Sequence, residues 1–211
     1  MSAPVLVCFA VPQEARPFQK MARARNDVHV LLTGIGERNA EHSVREALKA
    51  IGPRRVFSCG FAGALRPDLK IGDLVFAAEA LTPAMTNHFR SLGARPVSFI
   101  CSERVAITAE EKAALRSTTN ADAVEMESHI IADVCARAGI ECMTLRTVSD
   151  TAQENLPLDF NTLMTEEKKL SIAKLAWAVL KAPQKIPALI RLGQNSAFAA
   201  ARLAKALAEI I

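Results

Sequence analysis

Residues 124 to 151, VEMESHIIADVCARAGIECMTLRTVSDT, decide how the chain is read. Ile130, Ile131, Val134 and Cys135 are apolar at helical spacing, and Gly139 offers a left-handed stop just past them. Cys142 to Val148 is a mostly apolar run of strand length, with Ser149 and Asp150 as its polar exit. In an open α/β sheet, ligands sit outside the carboxyl ends of strands, which is where Asp150 falls. Met126 and Glu127 at the start of the segment and Asp150 at its end can face a common pocket.

The preceding chain repeats this alternation. Pro4 to Val11 is a continuous apolar run, as expected of a strand buried on both faces, and Glu14 lies just past its carboxyl end. A helix over Ala15 to Ala24 follows, then a strand over Val28 to Thr33 and a helix from about Asn39 to Ile51, stopped by Gly52-Pro53. Arg55 to Cys59 reads as a strand opening into the Gly60-Phe-Ala-Gly63 turn, and Leu74 to Ala78 as another. Residues 81 to 105 are the least legible and read as a substrate loop with short strands. Thr108 and Glu111 form a capping-box pattern for a helix over Glu110 to Arg116. Strands alternating with helices, the strands near-continuously apolar, predict an α/β fold with a mostly parallel sheet covered on both faces.

After Asp150 the chain is polar to Asn161 and then helical. Leu163 to Leu180 and Ile186 to Ile211 carry apolar residues at helical spacing, broken at Ala182-Pro183 and at Pro187. Lys168, Lys169, Lys174, Lys181, Lys185, Arg191, Arg202 and Lys205 make this tail basic. It reads either as an amphipathic pair packed on the sheet or as a contact with an anionic membrane surface. The expected organisation is one domain over 1–211, with 163–211 a C-terminal helical segment packed on it.

Composition narrows the function. The 211 residues are half hydrophobic and 23% charged, with net charge +4. Both signs are interspersed through most of the chain, a weak basis for nucleic-acid binding, and 5% aromatics with no Tyr give no stacking platform. Five cysteines without a CxxC pair suggest core thiols in a reducing compartment, and four histidines without ligand spacing give no reason to expect a metal. With no basic n-region at the start and no apolar stretch of ~20 residues, a cytoplasmic protein is expected.

Gly34-Ile-Gly36 lies between a strand and a helix but lacks the third glycine of a dinucleotide fingerprint. It is either a tight turn or a place where an anion or sugar hydroxyl meets the backbone. Gly60 and Gly63 similarly permit close ligand approach or merely tight packing. Glu14, Glu127 and Asp150 each sit at an element boundary. Three convergent carboxylates suit acid/base work at a sugar, where an oxocarbenium-like centre needs negative charge and a leaving group needs a proton.

Four segments in order, FAVPQEA, LLTGIGERNA, VFSCGFAGALRPDLKIGDLVFA, and AVEMES followed by LRTVSDTA, resemble the nucleoside phosphorylase/nucleosidase superfamily. Within it the chain is similar to the methylthioadenosine/S-adenosylhomocysteine nucleosidases. It is closer still to the hopanoid-associated branch that removes adenine from adenosylhopane, judging by the compact stretch before VEMES and the tail LKAPQKIPALIRLGQNSAFAAARLAKAL.

The resemblance implies a three-layer α/β/α sandwich with a mixed, mostly parallel central sheet, and it implies roles. Asp150 would protonate the purine N7, which requires burial or a carboxylate neighbour to keep it protonated, and Ser149 would hold it. Glu127 would bind the ribose hydroxyls, with Met126 against the sugar, and Glu14 would activate water. Gly60 and Gly34 would line the substrate. Arg16 and Arg38 leave phosphate open as the nucleophile. Phe61 replaces a Ser or Thr of many relatives, which weakens phosphate binding and enlarges the apolar wall. The segment from Ala80 to Val105 is shorter than in the nucleosidases, which would suit a bulky 5′-group. A small-molecule nucleoside as ligand, no cofactor and a homo-oligomer, a dimer first, are implied. A phosphorylase, a methylthioadenosine/S-adenosylhomocysteine nucleosidase and a non-catalytic nucleoside-binding module stay open as alternatives.

Overall fold

The computed structural model describes residues 3–79, 81–168 and 170–211; Ala80 and Lys169, named above, lie outside them. The apolar run at the start becomes β1 (Val5–Phe9), buried along its whole length between two parallel neighbours, β2 (Val28–Leu32) and β3 (Arg55–Ala64). Its alternating side chains separate the layers. Val5, Val7 and Phe9 pack against Ala15, Phe18 and Ala22 of α1 (Pro12–Ala22). Leu6 and Cys8 face Ala40, Val44 and Ala47 of α2 (Glu37–Ile51). The spacing of the α2 residues puts them on one face, as the sequence predicts.

With β8 (Glu141–Asp150) next to β3, the sheet has the order β2-β1-β3-β8-β4-β5, with β4 (Leu74–Phe76) antiparallel to β8 and parallel to β5 (Arg95–Pro96). β6 (Phe99–Cys101) pairs with β7 (Ala123–Glu125), which runs antiparallel to the end of β3. The expected mixed, mostly parallel sheet between two helical layers is what forms.

Several expectations shift. β3 continues through Gly60 to Ala64 instead of turning at Gly60, because β8 (Glu141–Asp150) pairs with it along its full length. Residues 81 to 105, expected as a loop with short strands, contain the short strands β5 and β6 and also α3 (Pro83–Ser91), started by Thr82 as N-cap and Pro83 in the first turn and anchored by Phe89 edge-on to Phe76. The Thr108–Glu111 capping box forms at the head of α4 (Ala109–Thr119). Next, α5 (Ser128–Arg137) stops before Gly139, whose φ of +68° is the left-handed conformation expected of it.

The C-terminal region is less continuous than its periodicity suggests. A short α6 (Phe160–Leu163) precedes α7 (Ile172–Lys181), a 3-10 turn (Pro183–Lys185) and α8 (Ile186–Ile210). Pro187 does not break the last helix, because it falls in the first turn, where its missing N–H costs nothing. Only the second half of α8 packs on the sheet: Leu203, Ala204 and Leu207 join the cluster of Val7, Phe57 and Leu145. Helix α7 buries no side chain.

This division is measurable by urea unfolding. Leu203→Ala, at a position with no solvent exposure, should cost about 2–5 kcal/mol. Leu180→Ala on α7 should stay within about 0.5 kcal/mol of the parent.

Candidate active site

A cavity of about 260 Å³ opens beyond the carboxyl ends of β1, β3 and β8, with Glu14, Phe61, Gly63, Met126, Glu127, Ser149 and Asp150 in its wall. The volume is near the lower end for small-molecule pockets. Leu156, Phe160, Met164 and Leu192 make the opposite side apolar.

Beneath this floor lies Arg146, a guanidinium 1% exposed in the middle of β8. Its Nη2 donates to Glu125 Oε2 at 2.6 Å and to Ser58 Oγ at 3.2 Å; Nη1 lies 3.7 Å from Glu127 Oε2. Glu125 Oε2 also accepts the backbone N–H groups of Glu127 and Ser128. Burial alone would raise the Glu125 carboxyl, but Arg146 and these donors bring it below its ordinary value. The same hydrogen bonds fix the turn that presents Met126 and Glu127 to the cavity.

Glu127 Oε1 accepts the N–H of Gly36 at 2.8 Å. Here burial prevails: despite Arg146 and the Gly36 amide, and with Glu125 and Glu14 opposing a further charge, the carboxyl is pushed up to about 7. Glu14, in the first turn of α1, takes three backbone N–H groups, Ala10 and Val11 on Oε2 and Phe61 on Oε1. Burial raises it as well, against the pull of Arg146 and those amides. Gly60 permits this convergence. At φ +149°, a Cβ there would lie 2.7 Å from both Arg146 Nη1 and Glu14 Oε1.

Asp150 closes the other side. The register of β3 and β8 slips between Ala62↔Val148 and Gly63↔Asp150, leaving Ser149 as an extra residue. This bulge lets consecutive side chains, Ser149 and Asp150, both line the cavity, which strict alternation forbids. Ser149 Oγ donates to Asp150 Oδ1 at 2.7 Å, and Lys112 Nζ donates to Oδ2 at 2.5 Å. Lys112, buried on α4, spends its other two protons on the carbonyls of Thr151 and Glu154. The proposed role called for burial or a carboxylate neighbour at Asp150; the residue is buried, and the group beside it is an ammonium. It orients Asp150 and carries a proton of its own to the pair.

The sequence pattern of the phosphorylase superfamily matches residues 10–95 and 94–181. The chain belongs to that superfamily. It is 26% identical to an aminodeoxyfutalosine nucleosidase of Helicobacter pylori, covering 80% of this chain and 88% of that protein. It is 24% identical to a 5′-methylthioadenosine/S-adenosylhomocysteine nucleosidase of Shewanella halifaxensis, covering 65% and 74%. Among solved structures, a 5′-methylthioadenosine/S-adenosylhomocysteine nucleosidase of Neisseria meningitidis bound to methylthio-immucillin-A matches with TM-score 0.72 at 21% identity, over 99% of this chain and 98% of that one. The Helicobacter pylori counterpart gives 0.71 at 19%, over 100% and 98%. These likenesses establish the superfamily fold.

Against this superfamily frame, Glu14, Phe61, Met126, Glu127, Ser149 and Asp150 meet at one cavity. Gly60 lies behind its wall rather than in it, and Gly34, whose amide is bonded to the Ala10 carbonyl, is not among the lining residues. Arg38 lines a separate polar cavity of about 810 Å³ with Gly36, His42 and Lys168, and Arg16 is exposed on α1. Three polar residues were missed. Arg146 had a signal, since a charge in the middle of an apolar strand must find buried partners. Glu125 lies within the quoted AVEMES motif, but Lys112 in an ordinary Glu-Glu-Lys helix start had none.

The raised Glu127 carboxyl binds its proton more tightly in the folded chain than in the unfolded one, where the ordinary value is 4.5. Stability from this site is therefore complete below about pH 4.5 and lost as pH rises through about 7. Urea midpoints between pH 4.5 and 8 should show the parent losing up to about 3 kcal/mol more than Glu127→Gln. Parallel curves would remove this reading.

Proposed function

We propose that the chain is a nucleosidase, an N-ribosyl hydrolase that cleaves the N-glycosidic bond of an adenine nucleoside carrying a bulky apolar 5′-substituent. The substrate proposed is adenosylhopane, giving ribosylhopane and adenine. The chain is an enzyme of its superfamily, and the relatives' printed activities support glycosidic cleavage. The observation that carries hydrolysis is Glu14, a buried carboxylate presented to the cavity by three backbone amides.

Each step has a residue. Departure of adenine leaves positive charge at the anomeric carbon and negative charge on the base. The Asp150–Lys112 pair donates a proton to N7, so that adenine leaves neutral, and Ser149 fixes the Asp150 rotamer. Glu127 accepts the ribose hydroxyls and offsets the anomeric charge, with Met126 against the sugar. Glu14 takes the proton of the attacking water as its oxygen bonds to the anomeric carbon; burial raises Glu14 towards the range that serves a base. One water is consumed, and its oxygen ends on the ribose.

The apolar side of Leu156, Phe160, Met164 and Leu192 supports the bulky apolar group. Phosphorolysis is the weaker reading. The cavity of Arg38 also holds Glu37, Glu103, Glu166 and Glu167, whose charges oppose a phosphate. A dimer is the proposed assembly, testable by light scattering.

Adenine release should proceed without phosphate, and more efficiently from a nucleoside with a long apolar 5′-group than from methylthioadenosine. Glu14→Ala and Asp150→Asn should each lower kcat about 10²–10⁴-fold. Strict phosphate dependence would overturn the role of Glu14. Release from no adenine nucleoside would leave a binding module.

A further inference from the structure

From Lys168 to Ala208 the chain contains eight basic residues and no acidic one, although the whole protein has 22 Asp and Glu. The same region concentrates exposed apolar bulk. Among the described residues, seven of the nine exposed large apolar side chains lie between Leu170 and Phe198. Ile172 is 81% exposed, Leu180 75% and Trp177 60%, on a helix that buries nothing. Lys174 and Lys181, seven residues apart, share one side of α7, and Lys181 Nζ sits 4.8 Å from the centroid of the Trp177 ring. Exposed Ile186 and Ile190 extend the apolar surface onto α8, flanked by Lys185 and Arg191.

We propose that α7 and the first half of α8 dock on an anionic lipid surface, with Ile172, Trp177, Leu180 and Ile190 in the headgroup layer and Lys181 and Lys185 against lipid charge; the Lys174 ammonium is bonded to the carbonyls of Thr162 and Met164. Two properties select this occupant. A basic, acid-free amphipathic face with a Trp has the composition of an interfacial helix, and no helix among the described residues is long and apolar enough to cross a membrane. A second copy of the chain is a poor alternative. A two-fold contact sets the same patch against itself and would oppose lysine to lysine with no acid to relieve them.

The placement has a consequence that rests on the proposed substrate. Leu192 and Ser196 of α8 line the catalytic cavity, and Leu192 lies within one turn of the exposed Ile190 and Arg191. A lipid-linked nucleoside can thus keep its apolar part at the bilayer while its ribose and base reach Glu127 and Asp150.

Vesicle co-sedimentation tests docking without any turnover, so it stands or fails apart from the nucleosidase reading. The intact chain should pellet with vesicles of phosphatidylcholine and phosphatidylglycerol in equal parts and remain in solution with phosphatidylcholine alone. Added salt should release it. Lys181→Gln with Lys185→Gln should weaken partitioning about fivefold per lysine. Ile172→Ser with Leu180→Ser, at solvent-exposed positions, should abolish pelleting while circular dichroism shows an unchanged fold. Failure of the parent chain to bind anionic vesicles would overturn the proposal, as would binding indifferent to both double variants. An oligomer that the apolar variant dissociates, without vesicle binding by the parent, would reassign the face to self-association and overturn it too.

Discussion

A guanidinium cut off from water must be enclosed by its counter-charges, and the site is built around that requirement at Arg146. The residue is fully buried, and its Nε has no hydrogen-bond partner, so its compensation falls on the two terminal nitrogens. Glu125 takes the closest pairing, Glu127 stands at 3.7 Å, and Glu14 lies within Coulombic reach. Removing one member of such a cluster exposes the others to uncompensated burial, which is how buried ion pairs fix geometry even where they add little net stability. The constraint extends to the main chain. Gly60 has to be bare, and the turn after β7 has to present the amides of Glu127 and Ser128 to Glu125.

The two halves of the proposed chemistry draw on different devices. Glu14 and Glu127 are held by backbone amides and share the field of Arg146, so their protonation follows from burial opposed by one cation. Asp150 is set apart by the β8 bulge and tied instead to Lys112, whose ammonium is anchored by two carbonyls. In the proposed function, leaving-group protonation and water activation would fall to these separate charge networks. This separation keeps the proposed proton donor, the Asp150–Lys112 pair, apart from the proposed base, Glu14.

The layered α/β architecture was legible because its signals are redundant. β1 is apolar throughout, and α2 repeats its apolar residues at helical spacing. The acids at element ends were legible for the same reason that parallel sheets bind ligands beyond their carboxyl edges. The bulge at Ser149 and the Lys112 anchor were not, since both arise from pairing distant segments and leave no local pattern. Helix α3 was missed although Thr82-Pro83 is a recognisable start, because Pro83, Asn87 and Pro96 read as loop residues. The tail misled in the opposite sense: helical periodicity was real along α7, but periodicity says nothing about whether a face is covered.

The most direct test of Arg146 as the organising charge is the urea stability of Arg146→Met at pH 7 and at pH 5. Loss of the cation should cost about 3–5 kcal/mol at pH 7, where the carboxylates it faces are left unpaired. The deficit should shrink at pH 5, where Glu127, raised to about 7, holds its proton. A loss below about 1 kcal/mol at pH 7, or the same loss at both pH values, would contradict the account.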